Sequence, residues 1–484
     1  MKIYIDNHTF HYELENLTRL FFPNEKIEVI KEFEYSLMEV PYIYTFLDTD
    51  SIIIRVNFAD FTKEVKLSCA NDNAEDERLM AVGLYKLLQS YTGITQPWGI
   101  LTGVRPIKLM RRLCNSMGKD KAIQYFRDGL LVTDSKTNLA LQTEAIERQI
   151  IELSQRKSFS LYVSIPFCPS RCNYCSFVSQ SIEKAKHLIQ PYTELLCREI
   201  IHTAQIAKAL DLKLETIYIG GGTPTTLSPE QMSMLITTIR DNFDMSACRE
   251  FTVEAGRPDT INEAKLRTII DNGVDRISIN PQTLNDDVLS AIGRKHNAEQ
   301  TITAYRLARQ VGFKHINMDL IAGLPCDSFD SFKATLDSII ALDPESITVH
   351  TLSMKKSSFL TEKGLLVYKD DADRTSKMLD YCQDKLTDNG YLPYYLYRQS
   401  RMVGNLENVG WAKKGFEGLY NVYVMDETHT ILACGAGAVT KLKQYGGEYL
   451  ERIFNYKYPY EYIDGFDTLI KRKEAIYPFY QKYN

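Results

Sequence analysis

The stretch LYVSIPFCPSRCNYCSF, residues 161–177, runs a short apolar segment into a loop that carries Cys168, Cys172 and Cys175. Its first six residues include the β-branched Val163 and Ile165 and stop at Pro166, so they read as a buried strand. Five more runs of this kind follow: TIYIG (216–220), FTVEA (251–255), RISIN (276–280), INMDLIAG (316–323) and SITVH (346–350). Between them lie stretches such as PYTELLCREIIHTAQIAKAL (191–210) and AEQTITAYRLARQVGF (298–313), with apolar residues at three- and four-residue spacing. Alternation of strand and helix makes a parallel sheet with right-handed crossovers. Six units fall short of the eight that close a full barrel. The expected fold is therefore α/β, a partial (β/α)6 TIM-like barrel, with a doubly wound open sheet as the alternative. Both architectures gather chemistry at the carboxyl ends of the strands, where the cysteine loop lies.

Outward from that core, a chain of 484 residues exceeds what one hydrophobic core usually serves, roughly 250–300 residues. Residues 1–155 read as an N-terminal α+β domain: SIIIRVNF (51–58) and TKEVKLSC (62–69) suggest a hairpin, EDERLMAVGLYKLLQSYTG (75–93) and NLALQTEAIERQIIELSQ (138–155) suggest helices. Residues 156–390 form the expected barrel. Residues 391–484 form a small C-terminal extension, a candidate substrate-side domain, in which YLPYYLYRQSRMVGN (391–405) and ILACGAGAVTKL (431–442) read as β-rich.

With 44% hydrophobic and 25% charged residues the composition is that of an ordinary globular protein. A net charge of -5 argues against a dominant nucleic-acid surface, and the basic run KLMRRL (108–113) reads as a solvated helix face. The sequence shows neither a secretory leader nor a run of roughly 18 apolar residues, so no membrane span and a cytoplasmic location are expected. Ten cysteines over this length are not a disulfide framework, and the seven outside the loop read as small buried apolar residues.

Three clustered cysteines without a fourth point away from structural zinc, which closes four ligands. A 4Fe-4S cube held by three thiolates leaves one iron without a protein ligand. That vacant corner suits S-adenosylmethionine, whose amine and carboxylate chelate the iron before one electron cleaves the sulfonium. The other strand ends carry matching groups. GGGTPT (220–225) lets the backbone approach a ligand closely, and it lacks the Gly-Lys-Ser/Thr ending of a phosphate loop. Glu254, Gln282 and Asp319 are polar residues in apolar surroundings that could accept from an amine and from ribose hydroxyls. Arg294, in IGRKH, either pairs with a carboxylate or caps the preceding helix, and the adjacent His296 reads as structural.

The successive motifs YVSIPFCPSRCNYCSF, IGGGTPTTL, VEAGRPDT, DRISINPQTLNDDVLSAIGRKH and INMDLIAGLP resemble those of the oxygen-independent coproporphyrinogen III oxidase family of radical S-adenosylmethionine enzymes. The added N-terminal region, ending in WGILTGVRPIKL, makes the chain most similar to the longer coproporphyrinogen dehydrogenase branch, the HemZ type. The resemblance implies that Cys168, Cys172 and Cys175 hold the cluster. It further implies that Tyr162, Tyr174, Gly221, Gly222, Thr223, Glu254, Gln282, Arg294, Asp319 and Ser353 bind S-adenosylmethionine. The implied reaction belongs to haem biosynthesis: a propionate side chain of coproporphyrinogen III loses hydrogen, carbon dioxide and an electron to become vinyl, and two such events give protoporphyrinogen IX. Reduced ferredoxin or flavodoxin is the implied electron donor. Arg257, Arg398 and Arg401 are candidate partners for the propionates of the tetrapyrrole substrate.

Two positions depart from the best-characterised members, Phe177 in place of a further cysteine and Ser164 in place of a strand histidine. Relatives with Phe at the first of these include haem-trafficking proteins and porphyrin-cleaving methyltransferases, which are the alternative functions. Haem binding would use an axial ligand such as His350 or His315.

Overall fold

The computed structural model describes residues 1–175, 177–353, 369–399 and 402–483, which fold as two compact units. The first comprises Met1–Glu144 with a later stretch ending at Ser376 and with Tyr397–Glu407. The second starts at Ala145 and includes Lys377–Leu396 and the segment from Asn408 onward.

In the first unit the strand Ser51–Phe58 alternates buried and half-buried positions, the pattern of a sheet with one covered face. It pairs antiparallel with Phe61–Ser68, the expected hairpin, and with Tyr42–Leu47. Lys2–Asp6 and Glu28–Ile30 complete a five-stranded sheet in parallel fashion. Ile52, Ile54 and Val56 pack with Leu14, Leu17, Met80, Leu84 and Leu88 of the helices His11–Phe21 and Asn73–Thr92. Asp72 caps the second helix by accepting from the Glu75 amide, and Gly93 closes it in the left-handed conformation.

The late segment is held into this unit by buried charge. The Trp98 indole N–H donates to Glu407 at 2.7 Å, and Lys136 pairs with the same carboxylate at 2.7 Å. Arg398 donates to the carbonyls of Leu101 and Asn405, and its guanidinium lies 5.6 Å from the Trp98 ring centroid. It therefore serves as an internal staple, in contrast to the propionate contact expected of it. Arg401 lies outside the described residues.

In the second unit the six expected strands are present: Ser158–Ile165, Lys213–Gly221, Glu250–Glu254, Arg276–Ser278, His315–Ala322 and Ser346–Thr351. They lie side by side in chain order and parallel, as the central strands of an eleven-stranded sheet. The fold is the α/β partial barrel that the alternation of strand and helix predicts. The amphipathic stretches form the helices Ile182–Ala209, Pro229–Asn242, Glu263–Asp271, Ala298–Val311 and Phe329–Leu342. A short helix, Asp286–Ala291, gives too few residues for a periodic signal; Asn285 caps it by accepting from the amides of Asp287 and Val288.

Strands from the C-terminal part extend this sheet at both edges. Asn408–Ala412 runs antiparallel to the sixth barrel strand, with Leu392–Tyr397 outside it. Thr430–Cys434 runs parallel to the first barrel strand and leads into the antiparallel strands Val439–Lys443 and Leu450–Phe454. Gly435 makes the close approach possible. It sits at φ 96°, and a Cβ there would lie 2.5 Å from the Ser164 carbonyl and 2.6 Å from the Tyr192 hydroxyl. That hydroxyl donates to the Ser164 carbonyl and accepts from the Ala436 amide, both at 2.8 Å. Among the described residues no helix is long and apolar enough to cross a membrane.

Candidate functional site

The first barrel strand ends at Ile165, and the cysteine loop leaves from it. Phe167–Cys168 pairs in parallel with Gln180–Ser181, which returns the chain to the helix Ile182–Ala209. The loop is built against the second strand end: the Gly222 amide donates to the Ile165 carbonyl at 2.8 Å and the Thr223 amide to the Phe167 carbonyl at 2.7 Å. The Thr223 hydroxyl reaches the Cys168 sulfur at 3.5 Å. A Cβ on Gly222 would sit 2.6 Å from the Phe167 oxygen and 2.9 Å from the Cys168 sulfur, so only glycine fits.

Residues far along the chain fix the rest of the loop. The Asn173 amide donates to the Ile292 carbonyl and its side chain to the Ala291 carbonyl, each at 2.9 Å, docking the loop on the end of the Asp286–Ala291 helix. Arg257 donates to Ser170 and approaches the Cys172 sulfur at 3.6 Å while paired with Asp259 at 3.1 Å. It is only 4% exposed and fully engaged, so the sequence-based expectation of a propionate contact there is corrected. No signal in the sequence marks this second role, because an arginine just past a strand end looks the same whether it faces a ligand or a cysteine. His296 is buried, with its Nδ1 3.7 Å from Asp259.

Burial pushes the Cys175 thiol up to about 11 and raises that of Cys168 as well. Both are protonated and poor nucleophiles near neutral pH, and metal binding would displace their protons. Among the described residues no three His, Cys, Asp or Glu side chains converge as ligands on a single ion.

The residues singled out at the other strand ends fall into two groups. Near the loop, Arg294 donates to the Asn280 carbonyl at 2.7 Å, to the Gly256 carbonyl at 3.3 Å and to the Tyr174 hydroxyl at 3.2 Å. Its Nε is buried and has no hydrogen-bond partner among the described residues. Among the barrel strands, Tyr162 and Tyr218 stand opposite each other on strands one and two, stacked 6.4 Å apart and joined by Tyr420. Tyr218 donates to Glu254 Oε1 at 2.5 Å. Burial raises Glu254 to about 7, with the Asp319 charge adding to the rise and the Tyr218 hydroxyl and Gly221 amide opposing it.

For Asp319, burial alone would raise the carboxyl, but His350, Asn317 and Thr348 outweigh it and hold it below the ordinary value. His350 lies 3.7 Å from Asp319. Gln282 takes a positive φ of 67°, rare for a residue with a side chain; its amide donates to the Asp319 carbonyl and its carbonyl accepts from the Ile321 amide. Gly221, at φ 105°, has the Ser164 hydroxyl 2.9 Å from where a Cβ would be. Ser164, the departure from the histidine pattern, donates to the Ala436 carbonyl. Ser353 is half-buried two residues beyond the sixth strand. His315 packs edge-on against Phe416, with burial lowering its basicity.

Comparison with known proteins matches residues 162–339 to the Radical SAM superfamily. HemZ of Bacillus subtilis, an oxygen-independent coproporphyrinogen-III oxidase-like protein, is 40% identical over 81% of this chain and 80% of its own length. The chain belongs to that radical SAM family. The heme chaperone HemW of Bacillus subtilis is 34% identical over 58% of this chain and 70% of its own. The solved structure of coproporphyrinogen III oxidase (HemN) from Escherichia coli superposes with a TM-score of 0.52 at 24% identity, over 66% of this chain and 71% of that one, and shares the fold.

The cofactors of a radical SAM protein are a 4Fe-4S cluster and S-adenosylmethionine, and this site fits them in three ways. The donors are thiols, which select iron-sulfur clusters. The Gly222 cradle keeps a side chain away from Cys168. The interior offers an arginine nitrogen that has no hydrogen-bond partner among the described residues, suited to a carboxylate, and a carboxyl poised near 7, suited to an ammonium. When bound, the two cofactors supply hydrogen-atom abstraction by a carbon-centred radical, chemistry that no side chain here provides.

Proposed function

We propose that this chain catalyses the oxygen-independent oxidative decarboxylation of coproporphyrinogen III to protoporphyrinogen IX, with reduced ferredoxin or flavodoxin as electron donor. In this reading Cys168, Cys172 and Cys175 ligate the cluster. Glu254 in its ionised form accepts hydrogen bonds from the methionine ammonium, and Arg294 pairs with the carboxylate. The backbone of Gly221, Gly222 and Thr223 approaches the same end of the molecule. Asp319, Gln282 and Ser353 face the nucleoside, beside Tyr162 and Tyr174. The chain's own contribution is to bind, to orient and to exclude water, since the reaction asks for no general base. The observation that carries the reading is the cysteine loop braced on the Gly222 cradle, in a chain similar to HemZ over four-fifths of both lengths.

The test is anaerobic turnover of the reconstituted protein with reductant, S-adenosylmethionine and coproporphyrinogen III. Carbon dioxide, vinyl-bearing porphyrin, methionine and 5'-deoxyadenosine are expected together. Deoxyadenosine without vinyl product would remove the decarboxylase reading and keep the radical one. Stoichiometric haem uptake without porphyrin product would move the chain to the chaperone function named for HemW, and a methylated linear tetrapyrrole to methyl transfer with ring opening.

A further inference from the structure

Phe177 poses a question that the cysteine loop does not answer. It lies two residues after Cys175 and is 64% exposed, a large apolar ring turned to solvent. It lines a cavity of about 460 Å³ together with Val178, Tyr458, Arg171, Lys184 and Lys457. Tyr458 stacks at 5.5 Å, nearly parallel, on Tyr460, itself 47% exposed, so an aromatic ledge adjoins the opening. The cavity wall also includes Ser181, the N-cap of the 28-residue helix Ile182–Ala209, and the positive end of that helix favours an anion. Among the described residues no carboxylate lines the cavity. The nearest acid in sequence, Glu183, is paired with Lys295 at 3.1 Å. Among the described residues neither Lys184 nor Lys457 takes part in an ion pair; Lys457 lies over the Tyr458 ring at 5.6 Å.

We propose that this cavity is a substrate subsite, which seats one propionate-bearing edge of the tetrapyrrole with its pyrrole rings against Phe177 and Tyr458 and its carboxylates on Lys184, Lys457 and Arg171. The identity of the ligand rests on the proposed function; the chemistry of the site, an anionic ligand with a flat apolar body, rests on the lining alone. The volume lies within the range of small-molecule sites, roughly 300–1,000 Å³, and suits part of a macrocycle. A protein partner would instead cover a broad face of about 800 Å². The position of Phe177, two residues after Cys175, places this edge beside the cysteine loop. It also explains why the ring is exposed, since a bound macrocycle would cover it.

The test uses full-length protein reconstituted with its cluster and S-adenosylmethionine, and coproporphyrin III as a fluorescent, air-stable probe. The double variant K184E/K457E should lose roughly tenfold or more in probe affinity, because each lysine supplies a charge-assisted contact. Cleavage of S-adenosylmethionine in the absence of porphyrin should stay at the wild-type rate, which shows that fold and cluster survive. Probe affinity within about threefold of wild type would overturn the subsite. So would unchanged probe affinity with loss of donor-driven turnover, which would assign the cationic face to the reductant. If the wild-type protein yields no vinyl product yet binds the probe in a lysine-dependent way, the subsite stands and the decarboxylation falls. If product forms and binding ignores the lysines, the subsite alone falls.

Discussion

Glu254 shows how one residue couples fold and ligand. Its ordinary value is 4.5, and in the folded chain it rises to about 7, chiefly through burial. The unfolded chain therefore releases this proton near pH 4.5, while the folded chain holds it until about 7. Stability of the cofactor-free protein falls as pH climbs through that window, and the loss is complete above it. E254Q removes the penalty: it should stabilise the cofactor-free protein at pH 8 by about 1–3 kcal/mol and leave stability at pH 4 nearly unchanged, as urea unfolding at the two pH values would read. Under the proposed role the same variant should weaken S-adenosylmethionine binding by roughly tenfold, because a neutral amide pairs poorly with an ammonium; calorimetric titration measures this. The residue was legible in the sequence as a carboxyl at the end of an apolar strand. Its hydrogen bond from Tyr218, 36 positions earlier, was not, since only the pairing of strands two and three brings the two together.

Among the elements, the loop after the first strand is the most constrained. Its amide partners come from the second strand end and its outer half rests on a helix more than a hundred residues later, as with Asn173 on Ala291. G222A inserts a methyl group into the space between the Phe167 carbonyl and the Cys168 sulfur. The two strand ends must then separate, and the reconstituted variant should bind less than half the iron of wild type while keeping its far-ultraviolet circular dichroism; full iron content would count against the cradle. The spacing of the three cysteines and the run of glycines were readable because each is local. Arg257 shows the opposite case. Sequence placed it at a strand end and suggested a substrate carboxylate, whereas the structure turns it onto Ser170 and Cys172, some 85 residues away.

At the scale of the whole molecule, buried ion pairs join segments that are remote in sequence. Glu199, on the helix after the cysteine loop, is fully buried and pairs with Lys473 at 3.0 Å while accepting from Gly435, Asn455 and Tyr462. K473A strands that carboxylate and should destabilise the protein by about 3–5 kcal/mol, whereas E199Q/K473M should recover much of the loss; a double-mutant cycle in urea separates the two. The first unit has the same device. A protein starting at residue 145 would leave Glu407 without Lys136 and Trp98, and Arg398 without the Leu101 carbonyl. It is expected to aggregate or to unfold well below the full chain, and a monomeric truncation with unchanged thermal midpoint would contradict this. By itself the sequence determined the alternation of strand and helix, the six parallel strands, the hairpin of the first unit and the identity of the thiols, because periodicity and spacing are local properties that a chain carries with it. Only the tertiary structure decided the edge strands donated from the C-terminal part, the partners of Arg257, Arg398 and Glu254, and the cavity beside Phe177. Burial and hydrogen bonding act over a few ångströms of space, and nothing in linear spacing says which distant residues will meet there.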